Sequence, residues 1–324
     1  MVSKTRLDWL ALAVTGTLTA VSLVWQHREA NRSSGSRPAN TTLIHSARRL
    51  NRGAGILAGA VLLDSAMEHY RGQFENRAMY TPLITATLSL LASSKGFADL
   101  TPHSGKLRNG IYIGTVLTGV AGSGFHLWNV TKRPGGFGWT NLFYSAPLGA
   151  PAALILSGVL GHYAERLRSE TRNIVPRVLG LPAGQSMALM SAAGLIGTSA
   201  EAGLFHFRGS FQNPAMYLPV TAPPLSAVLL TASALAGANR PHLRWASRLC
   251  LRFTLLLGVA GACFHALGAA RNHGGWRNWR QNLQAGPPLP APPSFTGLAL
   301  AGLAAQRLLD EEQSVKAHYL GWHP

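Results

Sequence analysis

Four histidines, His69, His126, His206 and His265, hold the best prospects for chemistry in this chain of 324 residues. Each lies in sequence that is written twice. "HYRGQFENRAMYTP" from His69 matches "HFRGSFQNPAMYLP" from His206 at nine of fourteen positions, and "GVAGSGFHLWN" around His126 matches "GVAGACFHALG" around His265. Imidazole nitrogens ligate haem iron and transition-metal ions, and a facing pair suits axial ligation of a haem b. Gly119 and Gly122 share one helical face with His126, as Gly258 and Gly261 do with His265. Such a strip of missing side chains leaves room for a flat macrocycle, although small-xxx-small spacing more commonly serves close helix packing. Arg71 and Arg208 follow the first histidine of each pair by two residues, within reach of propionates.

Asp64 and Glu201 occupy matching positions five residues before His69 and His206. Acids in apolar segments are suspects for proton or cation binding, which makes a membrane carrier a second reading. One carboxylate and two histidines also form the ligand set of a non-haem iron site. Five residues turn ~140° on a helix, however, so acid and histidine point to different faces. A third reading needs no cofactor: the repeated segment is an outward hairpin that docks another protein. Gly72 and Gly209 then permit the turn, and Asn76 and Asn213 cap the start of the next span. Tyr80, Tyr217, Trp128, Trp139, Trp276 and Trp279 form an interfacial aromatic belt. Met79 and Met216, also repeated, are packing residues first and soft metal ligands second. No Walker loop, nucleophile elbow, dinucleotide fingerprint or HExxH run occurs.

The elements that must position these groups are helices. Only 13% of residues are charged, against roughly 25% in soluble proteins. Segments 10–25, 53–63, 78–94, 109–130, 144–163, 183–200, 214–239, 253–270 and 287–306 are nearly free of charge. They approach or reach the ~20 residues that a membrane-crossing helix needs. They also lack the polar stripe of a soluble helix. The expected fold is all-α: a polytopic membrane protein of about nine transmembrane helices. Prolines crowd the fifth, seventh and ninth segments, at Pro147 and Pro151, Pro219, Pro223 and Pro224, and Pro290, Pro292 and Pro293, and predict broken helices there.

Beyond the quoted stretches, "SAPLGAPAALILSGVLGHYAERL" resembles "GPPLPAPPSFTGLALAGLAAQRL". The chain therefore divides into an N-terminal helix (1–25), a basic polar linker (26–52), a four-helix unit (53–167), a basic connector (168–182), a second four-helix unit (183–309) and a tail (310–324). An even number of helices per unit makes the repeat parallel, about an axis along the membrane normal. In an up-and-down bundle the first and third helices sit diagonally, which brings His69 towards His126 and His206 towards His265.

The formal net charge is +17, but the basic residues lie between the apolar segments, where they act as topology signals and contacts for anionic lipid. Nucleic acid is not an expected partner; the lipid bilayer is. Nineteen of the 29 lysines and arginines fall on one side of a nine-span arrangement. That side is cytoplasmic by the positive-inside rule, so the histidine loops face outward from a bacterial inner membrane. Cys250 and Cys263, thirteen residues apart on one expected helix, are too distant to pair.

Overall fold

The structure is a computed structural model and describes residues 41–138, 140–141, 148–169, 177–178, 180–236 and 240–319. The expected first helix (1–25) and most of the linker lie outside the described residues, as do Trp139 and Pro147. Nine α-helices occur among the described residues: α1 (Thr41–Arg71), α2 (Thr81–Ala98), α3 (Lys106–Thr131), α4 (Gly149–Ser169), α5 (Ala183–Arg208), α6 (Leu218–Leu235), α7 (Pro241–Arg271), the short α8 (Trp279–Ala285) and α9 (Pro293–Tyr319). Two-residue strands β1 (Arg177–Val178) and β2 (Leu181–Pro182) pair antiparallel in the connector before α5, with Gly180 left-handed at the turn. Among the described residues, three stretches are long and apolar enough to cross a membrane: α5, 214–235 containing α6, and α7.

The helices close two rings. In the first, α1 packs on α2, α2 on α3, α3 on α4 and α4 on α1; in the second the order is α5, α6, α7 and α9. The first and third members of each ring therefore lie across its diagonal. The rings join through α1 on α9 and α4 on α5. The main apolar core is built mostly from these four, with Leu50, Leu57, Leu160, Met187, Leu195, Leu298 and Leu308 almost fully buried. Helices α3 and α7 instead expose large apolar side chains, among them Leu117, Phe125, Leu256 and Phe264.

Helix α1 starts at Thr41, inside what the sequence assigns to a polar linker. Leu43, Ile44, Ala47, Leu50, Ala54 and Leu57 are buried at helical spacing through this stretch. Polar letters between them hide an amphipathic face that extends the helix backwards. Prolines do not break the helices described here. Pro223 and Pro224 sit inside a continuous α6, and Pro293 is the first residue of α9. At a helix start the missing N–H has no intrahelical partner to lose, so proline costs little there.

Glycine sets the tightest approaches. A Cβ on Gly53 would stand 2.7 Å from the Gly297 carbonyl oxygen, and one on Gly297 would stand 2.9 Å from that of Gly53. The α1–α9 crossing thus exists because neither helix has a side chain at that point.

Candidate functional site

The repeated sentence builds the same turn twice. At the end of α1 the Phe74 N–H donates to the His69 carbonyl and the Gln73 N–H to that of Tyr70, both at 2.9 Å. At the end of α5 the Phe211 and Ser210 N–H groups donate in the same way to His206 and Phe207, at 3.0 and 2.9 Å. This crossed pair of bonds is a Schellman closure. The left-handed residues are Gln73 (φ 55°), Phe74 (φ 50°), Ser210 (φ 57°) and Phe211 (φ 45°), not the glycines expected to permit the turn. Gly209 has φ −84°, and a Cβ on Gly72 or Gly209 would meet only ordinary contacts. What holds the strained backbone is an aromatic clasp. Phe74 stacks on Tyr80 and Phe211 on Tyr217, each with ring centroids 4.6 Å apart. The next residues cap as expected: the Asn76 and Asn213 carboxamide oxygens each accept from the amide two residues on, at 2.9 Å.

The four histidines form two pairs. His69 on α1 and His126 on α3 are close enough for the charge of one to act on the other, and His206 on α5 and His265 on α7 likewise. Two of them have a fixed tautomer. His69 Nδ1 lies 2.6 Å from the Met79 carbonyl oxygen, and His265 Nδ1 lies 2.8 Å from that of Pro288. A carbonyl only accepts, so Nδ1 carries the proton and Nε2 keeps its lone pair. Histidines that bind metals are oriented in this manner. His206 faces the Met216 carbonyl similarly without closing a full hydrogen bond.

The glycine strips do not front an open slot. A Cβ on Gly119 would lie 2.8 Å from Ile155 N and 2.9 Å from the Pro151 carbonyl oxygen of α4. One on Gly258 would lie 2.8 Å from the Thr296 N and from the Pro292 carbonyl oxygen. Gly122 and Gly261 face the rings of Pro151 and Pro292. Backbone of the neighbouring helix fills the space, as close helix packing requires. Nor does Arg71 point to a propionate position: it pairs with Glu68 and donates Nε to the Leu283 carbonyl at 2.6 Å, tying the first ring to the short helix α8. Arg208 lies over the Phe205 ring, 5.6 Å from its centroid.

Asp64 and Glu201 approach each other from the two rings, and Glu68 adds a third carboxylate to their field. Glu201 also accepts from the Gly149 N–H at 3.2 Å, at the N-terminus of α4, where a carboxylate meets the positive end of the helix dipole. Among the described residues no three His, Cys, Asp or Glu side chains are grouped to hold a metal ion. The one-carboxylate, two-histidine set is thus not assembled, in keeping with the angle between acid and histidine on one helix.

A polar network escaped the sequence reading altogether. Glu165, wholly buried on α4, accepts from Arg108 Nε and Nη2 at 2.9 Å and from the Gly105 N–H at 2.6 Å. Arg108 reaches on to Asp99 at 2.8 Å, and Arg168 donates to the Asp99 carbonyl at 2.8 Å. Beside it Tyr112 donates to the Asn51 side chain at 2.9 Å. Burial alone would raise the Asp99 carboxyl, but the Thr101 hydroxyl and amide, with Arg168 and Arg108, hold it below the usual carboxylate range. The available signal was an acid at the end of an apolar segment, Glu165, with arginines three residues on and near the start of α3. In the second ring Gln306 and Ser247 take the aligned positions and share a 2.8 Å hydrogen bond. Comparison with protein-family models, with curated proteins and with solved structures finds no match to this chain.

Proposed function

We propose that the chain is a multi-pass protein of a bacterial inner membrane, built of two tandem parallel four-helix units. Each unit carries a two-histidine redox-metal site at its outward end, through which electrons pass to or from an outward-facing partner. The carrying observation is the pairing of His69 with His126 and of His206 with His265 at matching places in two rings. The Nδ1 anchors on Met79 and Pro288 support it, because they leave Nε2 as the donor atom for a metal. Haem iron and a bare transition-metal ion both accept imidazole. Helix packing against Gly119 and Gly258 takes away the slot on which a macrocycle would depend, and no third His, Cys, Asp or Glu joins either pair among the described residues, so the reading rests on the imidazole pairs alone. The exposed apolar faces of α3 and α7 and the span-length helices support the membrane placement.

Oxidised and dithionite-reduced absorption spectra of the detergent-purified protein, with elemental analysis of the same sample, test this reading. Two metal equivalents per chain are expected, falling to one in His126→Ala or in His265→Ala. A Soret band would identify the metal as haem iron. A colourless, metal-free protein with normal helix content, even after incubation with copper, iron or zinc salts, would refute it.

A second reading rests on a separate observation. Asp64 and Glu201 come from the two rings and the charge of Glu201 acts on Asp64, an arrangement that resembles a carrier's coupling-ion site. The unbroken α6 and the engagement of Glu201 by the α4 N-terminus count against it. Proton-coupled uptake into proteoliposomes that is abolished by Asp64→Asn would favour the carrier.

A further inference from the structure

We infer that Phe74 is a positioning residue for His69: by stacking on Tyr80 it fixes the Met79 carbonyl, which holds the imidazole proton on Nδ1 and leaves Nε2 to bind a metal ion. The inference rests on the metal reading proposed above. The parts are joined in one short loop. Helix α1 ends where the Phe74 N–H donates to the His69 carbonyl at 2.9 Å, which turns the chain back beside the histidine. The Asn76 side chain then accepts from the Ala78 N–H, and the Asn76 carbonyl from the Met79 N–H, both at 2.9 Å. These bonds open the single 3₁₀ turn Arg77–Tyr80. The turn is pinned at its far end, where the Tyr80 ring lies on Phe74 with 11° between the planes. Met79 stands between those two anchors, and its carbonyl oxygen lies 2.6 Å from His69 Nδ1. Phe74 also meets the imidazole itself, at 77° between the rings and 6.1 Å between centroids.

The backbone shows that the ring at position 74 outweighs an easy turn. Gln73 and Phe74 are both left-handed, a conformation that suits glycine and is costly for any other residue. Glycine at 74 would relax the turn and delete the clasp. Other residues persist in such conformations only where their surroundings over-determine them. The second unit repeats the device. Phe211, Asn213, Met216 and Tyr217 match Phe74, Asn76, Met79 and Tyr80, whereas Gln73, Glu75 and Arg77 give way to Ser210, Gln212 and Pro214. One difference separates the units: His206 Nδ1 closes no full hydrogen bond with the Met216 carbonyl. The tautomer is therefore fixed at His69 and not at His206, which makes the first site the tighter of the two.

Imidazole ¹⁵N NMR of the full chain, labelled at histidine and held in detergent at about pH 8.5, reads the tautomer, because an ordinary imidazole is neutral there. The signals missing from His69→Gln assign His69. The parent should carry the His69 proton on Nδ1. Phe74→Gly frees the left-handed backbone but deletes the ring, and should leave His69 exchanging between tautomers with helical circular dichroism unchanged. Gln73→Gly relaxes the same turn and keeps the ring, so the tautomer should hold; Phe74→Tyr, which retains an aromatic ring, should also preserve it. Should Phe74→Gly lose helix content, Tyr80→Leu serves, since it removes the other half of the clasp. Equilibrium dialysis with copper(II) should show one site weakened about 10–100-fold in Phe74→Gly and no change in Gln73→Gly. Mixed tautomers in the parent, a fixed tautomer in Phe74→Gly, or copper affinity indifferent to a changed tautomer would each overturn the inference. If the tautomer follows Phe74 in a chain that takes up no copper, the metal reading falls and the positioning of the imidazole stands.

Discussion

Replacing Glu165 by leucine should be among the most damaging single changes to this protein. The side chain has no exposure, and its partner Arg108 retains 9%. An exposed ion pair of the same geometry contributes only about 0–1 kcal/mol. Removing one member of a buried pair costs about 3–5 kcal/mol, since the remaining charge stays desolvated. Glu165→Leu strands more than one donor: Arg108 loses both of its bonds to the acid and the Gly105 N–H is orphaned. We therefore expect the upper half of that range and a fall in melting temperature on the order of 10 °C. Intrinsic tryptophan fluorescence in detergent, followed through thermal unfolding, reads the shift. The second ring supplies a control. Arg108→Ser combined with Glu165→Gln copies the Ser247–Gln306 pair and should recover at least half of the loss, whereas each single change should not. A Glu165→Leu cost below about 1 kcal/mol would refute the reasoning, because it would mean that the network is solvated.

Three further outcomes are expected. Gly119→Ala forces a Cβ to within 2.7–2.9 Å of Ile155 and Pro151, and should lower stability by about 1–3 kcal/mol; Gly122→Ala, with 3.5 Å to the nearest atom, should cost far less in the same melt. Gly209→Ala should be neutral or stabilising by up to about 1 kcal/mol, because φ is already negative there, whereas Gly274→Ala, at φ 79°, should destabilise. The Asp99 carboxyl is held low in the fold, so its contribution is full above its unfolded pKa, about 3.9, and is lost as pH falls through the lower folded value. Asp99→Asn should thus be less stable than the parent at pH 7 and show a shallower loss of stability below about pH 4 in the same assay.

The helices and their apolar faces were legible because each follows from spacing along one segment, and the approach of the histidines was expected only by assuming an up-and-down order of four helices. The start of α1 was not. Arg48, Arg49, Asn51 and Arg52 read as a linker until α2 and α9 are present to receive them, as with the Arg48 bond to the Phe97 carbonyl at 2.7 Å. The turn after each first histidine was misread for a related reason. Glycine is the usual left-handed residue, and only the stacking of Phe74 on Tyr80 shows why glutamine and phenylalanine hold that conformation instead. Glu165 and Arg108 lie 57 positions apart, so nothing local connects them. The use of Gly119 for packing was legible in kind, and deciding between packing and an open slot needed the position of Pro151.

The crossing of Gly53 with Gly297 has a consequence for synthesis. The face that α1 presents at this point is closed only by α9, which leaves the ribosome more than two hundred residues later. Until then α1 has α2 and α4 beside it but a vacant flank. The first ring is therefore not a finished object when it emerges, and a helix of the second ring completes it.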